Sequence, residues 1–423
     1  MIKFLLKGLL RDRSRSFFPV LTVAFGVFLI VFLDAFFNGA LTNMYNATAH
    51  HQTGHVKIMT QAYAAEAEQS PNELALLDLA DWLARLRAEY PEIIWTPRIN
   101  FGGLIDIPDQ NGETRIQGPA AGLAVDLSAG SPEIGFLNLE KSLVRGRLPT
   151  KAGEILLAED FARRLQVSPN DTVTLIGSTM HGSMAVNNFT LAGTVRFGMA
   201  AMDRGAIIVD LRDVQNALDM QDAAGVLLGF FADDAYDNQK AEILKAAFNA
   251  QYQDTADEFS PVMCTLVEDS GLGSYFAMAS SAMFIIALIF VAVMALVLWN
   301  AGLIGGLRRY GEMGVRLAIG ESKIHIYLSM LGEAVLIGLG GSIIGILGGV
   351  LLGYWLQYHG LDYGAMFKDS SMMVENVFRA QVTLNSCFIG FFPGVLATLI
   401  GNALAGLGIF KRQTAQLFKE LEN

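Results

Sequence analysis

Four apolar runs govern what this chain can become: Phe17 to Phe37, Tyr275 to Leu303, Ile324 to Tyr354 and Leu384 to Phe410. Each is long enough to cross a hydrocarbon core of about 30 Å at about 1.5 Å per helical residue, the longer ones with some tilt. The expectation is a membrane protein, and a 52% hydrophobic composition with positive mean hydropathy agrees with it. A cleavable signal peptide competes for the first run because basic residues precede it. No small-x-small site with a polar mature start follows Phe37, however, and Asp34 falls where cleavage needs small residues, so a retained span is expected.

The flanks of the runs set a sidedness. Lys3, Lys7, Arg11, Arg13 and Arg15 precede the first run; Arg308, Arg309, Arg316 and Lys323 lie between the second and third; Lys411, Arg412 and Lys419 follow the fourth. The excess of Lys and Arg places all three sets on the cytoplasmic side. The long segment from Leu41 to Gly273 and the shorter one from His359 to Thr383 then share the outer side. Net charge follows the same partition, about −15 over Leu41 to Gly273 and about +4 over the remainder, and an acidic outer domain is poorly suited to nucleic acid. Before the first run, Ile2, Leu5, Leu6 and Leu9 share one helical face and Lys3, Lys7 and Arg11 another. Met1 to Leu10 therefore reads as an amphipathic helix in the cytoplasmic interface, or as a frayed basic start to the span.

Between the first two runs the periodicity changes. Leu76, Leu79, Leu83 and Leu86 predict a helix ending before Pro91. Strand-like runs then alternate with turn signals: 93–95, 103–107, a turn at Asn111-Gly112, 114–117, 154–157, 172–176, 189–196, 206–209 and 226–231. Helical stretches fall at 159–165, 211–218 and 237–250, and the Gly-rich region from Pro119 to Ser142 resists assignment. The fold class expected is an α-helical membrane protein with four transmembrane helices and a large α+β extracytoplasmic domain inserted between the first two, that domain having two subdomains. By residue number the expected segments are 1–16 amphipathic helix, 17–40 first span, 41–273 outer domain and 274–304 second span. They continue as 305–323 cytoplasmic connection, 324–357 third span, 358–383 outer loop, 384–410 fourth span and 411–423 cytoplasmic tail.

Chemistry-bearing patterns are sparse. Cys264 and Cys387 lie in unrelated contexts and define neither a disulfide framework nor a zinc site. His50, His51 and His55 cluster after the first run, which leaves a metal reading open, but their spacing is not that of one ligand face and no second ligand cluster accompanies them. Ser183 and Ser274 lack a nucleophile-elbow context. No catalytic residue and no metal site is expected.

The connection from Leu307 to Lys323 is too short for a catalytic domain, carries mixed charge, and has an apolar face expected at Met313, Leu317 and Ile319. It reads either as a docking element or as a charged connector that only satisfies the positive-inside bias. In the third run Gly341, Gly345, Gly349 and Gly353 recur at intervals of four, with Gly338 and Gly340 beside them, a face stripped for helix packing or for a dimer seam. Ionisable residues within the runs are few, Asp34 in the first and Glu333 in the third, and neither has a partner at relay spacing on its own helix. Pro393 is a candidate kink in the fourth.

In the connection, Arg309, Glu312, Met313, Gly314, Arg316, Ala318, Ile319 and Gly320 match a stretch of the FtsX-like, MacB-type permeases of ABC transporters. Glu321 departs from it, standing where a small residue is usual. Further matches are Gly146-Arg147-Leu148-Pro149, Gly153 to Leu157, Leu165 to Val173 (with Asn170 where glycine is commoner), Leu191 to Val195, Asp203 to Leu218, and Gly54 to Ile58. In order and spacing the chain resembles this family over nearly its whole length, closest in style to the lipoprotein-releasing permeases LolC and LolE. The resemblance implies that Arg308, Arg309, Glu312, Met313, Gly314, Arg316, Ala318, Ile319 and Gly320 form a coupling helix seated on an ATPase.

No G-x-x-x-x-G-K-[ST] occurs in these residues, so ATP and Mg are expected on a partner ATPase and no cofactor in this chain. Implied with it are an ABC ATPase dimer, a second copy or homologous permease, membrane lipid, and a lipoprotein substrate or a periplasmic adaptor, with no nucleic acid. The implied setting is the bacterial inner membrane, with the large domain in the periplasm. The implied activity is non-catalytic mechanotransmission for lipoprotein release; export through an adaptor and outer-membrane duct, and FtsX-style regulation of a periplasmic hydrolase, stand as alternatives.

Overall fold

A computed structural model describes residues 13–109, 112–308, 315–362, 373 and 377–411. The chain divides into two compact units, one of residues 1–41, 275–361 and 378–423, the other of 42–274 and 362–377. The expected amphipathic helix at Met1 to Leu10 and the residue Asn111 of the expected turn lie outside the described residues, as do residues 363–372 and 374–376 of the 358–383 loop.

Among the described residues, the first unit supplies four helices long and apolar enough to cross a membrane, with candidate spans Phe17–Thr53, Ser281–Leu303, Lys323–His359 and Leu384–Gly406. Its long helices run Arg13–Thr48, Leu272–Arg308, Lys323–His359 and Leu384–Lys411. Hydropathy alone makes these segments helical, because a backbone in lipid satisfies its own hydrogen bonds only in a helix or a closed barrel. Pro393 lies inside the fourth helix. Val23, Val27, Ile30 and Val31 of the first helix, Met294, Ala295 and Leu298 of the second, and Ala397 of the fourth form one buried cluster. Near one end of the bundle, Gln381 N–H donates to the Ala35 carbonyl at 2.9 Å and Val382 N–H to Gln357 Oε1 at 3.1 Å. Asp34, buried beside them, accepts from Asn38 Nδ2 at 3.0 Å and is hydrogen-bonded to Ser386 of the fourth helix.

The second unit is built on a ten-stranded sheet of order β10-β1-β9-β2-β3-β8-β5-β7-β4, with β6 pairing β2 and β7. The strands are β1 Val56–Thr60, β2 Ile93–Pro108, β3 Thr114–Val125, β4 Leu143–Gly146, β5 Glu154–Ala158, β6 Thr172–Ser178, β7 Met184–Val195, β8 Ala206–Asp210, β9 Val226–Phe231 and β10 Pro261–Thr265. The segments expected at 93–95 and 103–107 prove to be the two ends of one strand, β2. Its first part pairs with β9 through Arg98↔Val226; from Ile99 on it pairs with β3, and through 103–106 with β6 as well. The pairings β2·β3, β3·β8, β8·β5, β5·β7, β7·β6 and β6·β2 close a ring of six strands. Closure leaves those strands no free edge. Ile105, Leu157, Val173, Leu175, Leu191 and Ile207 are among the side chains buried in the core of this unit.

Other sequence expectations shift for identifiable reasons. The helix expected from Leu76 begins at Leu79, because Leu76 is held in a β-bridge to Ala224. Thr114 to Gln117 extends to Val125, since β8 supplies a parallel partner for residues 121–125. Strands β4 and β10, of four and five residues, have no strand signal in the sequence reading; neighbours on the sheet define them.

Candidate functional site

Three places carry the residues singled out above. The first is the connection between the second and third long helices. Arg308 ends the second helix, and Arg309, Glu312, Met313 and Gly314 lie outside the described residues. Residues 315–318 form a helical turn, followed by Ile319 and Gly320 in a tight turn. Gly320 has φ +96°, a left-handed conformation that glycine adopts without a Cβ penalty. Gly320 N–H donates to Leu317 O at 3.1 Å and Glu321 N–H to Arg316 O at 3.0 Å, the paired bonds of a Schellman helix end. Ser322 then caps the third helix, accepting from His325 N–H.

The side chains around this turn sort into two sets. Leu317 packs with Ile326 and Met330 of the third helix, whereas Val315 and Ile319 are 58% and 80% exposed. The expected common face of Leu317 and Ile319 is therefore corrected: two residues apart on a helical turn, they point about 200° apart. Ala318 is exposed beside them. Arg316 makes a two-pronged ion pair with Glu321, Nε to Oε2 at 2.6 Å and Nη2 to Oε1 at 2.8 Å.

The second place is the glycine stripe of the third helix. Gly341, Gly345, Gly349 and Gly353 are all buried. A Cβ at Gly341 would sit 2.7 Å from Val23 Cβ, at Gly345 2.5 Å from the Ala24 carbonyl oxygen, and at Gly349 2.8 Å from Val31 Cβ. The first helix thus occupies the stripe, while Gly353 meets Val382 and Ala35. Gly340, off the stripe, has nothing within 4 Å of its Cβ position. A second stripe, missed in the sequence reading, runs on the fourth helix: Gly390 approaches Val31, Gly394 approaches Ser342 and Val27, and Gly401 approaches Ala295. Its signal was the Gly390-x-x-x-Gly394 spacing.

The third place is the root of the sheet unit. After Thr48 the first helix widens into a π turn, Ala49–Thr53, and Gly54 at φ +63° turns the chain into β1. Strand β10, which leads through Leu266–Asp269 into the second long helix, lies antiparallel to β1 with Val56 opposite Thr265. The Lys57–Asp269 ion pair ties the two. His50 Nε2 lies 2.8 Å from Asp234 Oδ1, and its ring stacks on Phe136 at 5.3 Å. His55 is fully buried, its Nδ1 accepting from Phe231 N–H at 3.0 Å, and burial pushes its pKa down to about 4. His50 and His55 both border Phe230, and among the described residues no group of three or more His, Cys, Asp or Glu is arranged to hold a metal ion. Beside them Arg98 and Glu133 form a buried two-pronged pair, Nε to Oε1 at 2.9 Å and Nη2 to Oε2 at 2.7 Å.

The outer-domain motif at Arg147 and Glu154 is likewise an ion pair. Arg147 grips the Glu154 carboxylate with its two terminal guanidinium nitrogens, Nη1 and Nη2, and this contact holds the Glu154 pKa down at about 2. Its role is to fasten the loop before β5, since the backbone N–H groups of Thr150 and Lys151 donate to the same carboxylate. Cys264 and Cys387 are free thiols.

Comparison with known proteins gives these arrangements a family. The model of the MacB-like periplasmic core domain matches residues 16–248, and that of the FtsX-like permease C-terminal region matches residues 284–414. The lipoprotein-releasing system transmembrane protein LolC of Xylella fastidiosa (strain 9a5c) is 27% identical over 215 residues, 49% of this chain and 50% of that protein. LolC of strain Temecula1 / ATCC 700964 gives the same values. The chain spans about half the length of the curated relatives it matches. Among solved structures, the periplasmic region of MacB from Actinobacillus actinomycetemcomitans aligns with a TM-score of 0.36 at 12% identity, covering 52% of this chain and 94% of that one. With one model taking in more than half of the chain and the second following it in order, the chain belongs to the FtsX-like permease family of ABC transporters and carries a MacB-like periplasmic core domain.

Proposed function

We propose that this chain is a permease subunit that transmits motion: a separate ATPase docks on the connection between the second and third long helices, and the periplasmic unit does the work. The observation that carries the reading is the connection itself, a capped turn on which Val315 and Ile319 stand exposed between two membrane-length helices. A docked partner would cover these two apolar side chains and gain their burial. Basic residues on both sides of the turn, Arg308 and Lys323 among them, favour the cytoplasmic face, and both termini then share that face. The 42–274 unit lies, on this reading, in the periplasm, joined to its membrane helices through the adjacent strands β1 and β10.

ATP and Mg are bound by the partner, because these 423 residues contain no phosphate-cradling P-loop. Scarce intramembrane charge suits a lever better than a polar conduit. For the cargo we favour a lipid-anchored protein released from the inner membrane, as the LolC names of the relatives suggest. Purification of the tagged chain from its native membrane, followed by mass spectrometry, is expected to recover an ABC ATPase. Transfer of a lipoprotein to a soluble acceptor on adding Mg·ATP is the second readout. Recovery of an adaptor and outer-membrane duct would favour export instead, and recovery of a peptidoglycan hydrolase would favour regulation.

A further inference from the structure

We propose that Glu321 is a positioning residue: with Arg316 it forms an internal latch across the turn before the third long helix, leaving Val315 and Ile319 as the groups presented to the partner. Arg316, on this assignment, acts within the chain and not on the ATPase. The proposal rests on the reading that this connection docks an ATPase.

Three observations carry it. Arg316 and Glu321 are joined twice, by the backbone bond from Glu321 N–H to Arg316 O at 3.0 Å and by the two-pronged side-chain pair. In a Schellman helix end these two positions commonly share a hydrophobic contact; here the contact is ionic. An ion pair on a surface is ordinarily weak because ordering two long side chains offsets the attraction. The Schellman turn has already brought these two residues together, so less ordering remains to oppose the pair. The second observation is geometric. Leu317 anchors the turn on Ile326 and Met330 while Val315 and Ile319 project elsewhere, so a turn held rigid at its end holds the exposed pair in one orientation. The third is chemical: both carboxylate oxygens of Glu321 are engaged by the Arg316 guanidinium, so the charge of Arg316 is met within the chain. Among the described residues, His325 also faces the latch, its Nε2 3.6 Å from Glu321 Oε1.

The test uses the intact complex, purified in nanodiscs from the native membrane through a tag on this chain. The readouts are Mg·ATP hydrolysis and the amount of ATPase retained per permease. R316E and E321R, each placing like charges in contact, are expected to lower both readouts about fivefold, and E321A about threefold. The exchanged pair R316E/E321R is expected to restore both to within about threefold of the unsubstituted complex, the reversed helix-end charge accounting for the shortfall. If the exchanged pair is no better than R316E, Arg316 engages the partner and the latch is overturned. Hydrogen exchange separates a local effect from misfolding: in E321A the backbone amide at position 321 is expected to exchange about tenfold faster with third-helix amides unchanged. An unchanged amide at that position also overturns the latch. Ile319→Asp tests the underlying reading. If it leaves attachment and hydrolysis intact, docking at this turn is wrong; if it detaches the ATPase while the exchanged pair fails to recover, the latch alone is wrong.

Discussion

The two units of this molecule bury their elements by opposite means. In the membrane unit, contact comes from removing side chains: Gly341, Gly345 and Gly349 let the first helix approach until Val23, Ala24 and Val31 fill the space a Cβ would need. In the periplasmic core unit, contact comes from filling. Large side chains such as Phe161, Phe197, Phe230 and Phe248 are fully buried there, and an Arg98–Glu133 pair is buried with them. The difference follows from the solvent. Water drives bulky apolar groups together, so a water-facing domain gains by filling its core. Lipid tails exert no such drive, and helices gain chiefly through the closeness of their backbones.

The comparison breaks most sharply at Glu133. Glu133→Ala leaves the Arg98 guanidinium buried without its counter-charge, and a loss of about 3–5 kcal/mol is expected. Denaturant unfolding of the full chain in detergent, read by hydrogen exchange at β2 and β9, measures it; a loss below about 1 kcal/mol would mean water reaches Arg98.

Lowering the pH comes next. The His55 pKa falls from 6.5 to about 4 on burial, so the unfolded chain takes up a proton at higher pH than the folded one. Stability from this group is complete above pH 6.5 and declines as the pH falls from there towards 4, by an amount on the order of 3 kcal/mol. The same exchange measurement between pH 7 and 4 should show loosening at β1 and β9 that a His55→Gln variant reduces, the remainder coming from His51, which burial also lowers to about 4.

Gly345→Ala is expected to cost about 1–3 kcal/mol, because its Cβ lands 2.5 Å from the Ala24 carbonyl oxygen and the helices must part. Gly340→Ala, with open space at its Cβ position, should fall within about 0.5 kcal/mol of zero. Thermal unfolding in detergent compares the two. Equal losses would remove the seam from the account.

How far the sequence reading reached depended on the kind of signal. Runs of apolar residues were legible because hydropathy over a membrane length is a local property, and the helices at Glu159–Arg164 and Asn238–Tyr252 were legible through periodicity. The split of β2 into two segments misled because Pro97 and Gly102 fall between them, whereas β9, β3 and β6 supply partners along the strand. Glycine spacing carries half of its message locally: a stripe at Gly341, Gly345 and Gly349 announces a close approach without saying to what. The Arg316–Glu321 pair was out of reach, since a separation of five residues on a continuous helix would point the two side chains well apart.

Alternation, hydropathy and the spacing of glycines are written along the chain, and they determined by themselves that this protein has four membrane-length helices, an α+β unit and a helix face cleared for packing. Which helix fills that face, that six strands close into a ring, that His50 and His55 border the same Phe230 ring, and that Glu321 turns back on Arg316 were decided only in the tertiary structure. The physical reason is the reach of the interactions: hydropathy and periodicity are set by neighbours in sequence, while a seam, a closed sheet and an ion pair across a turn depend on where distant or reversed backbone is brought.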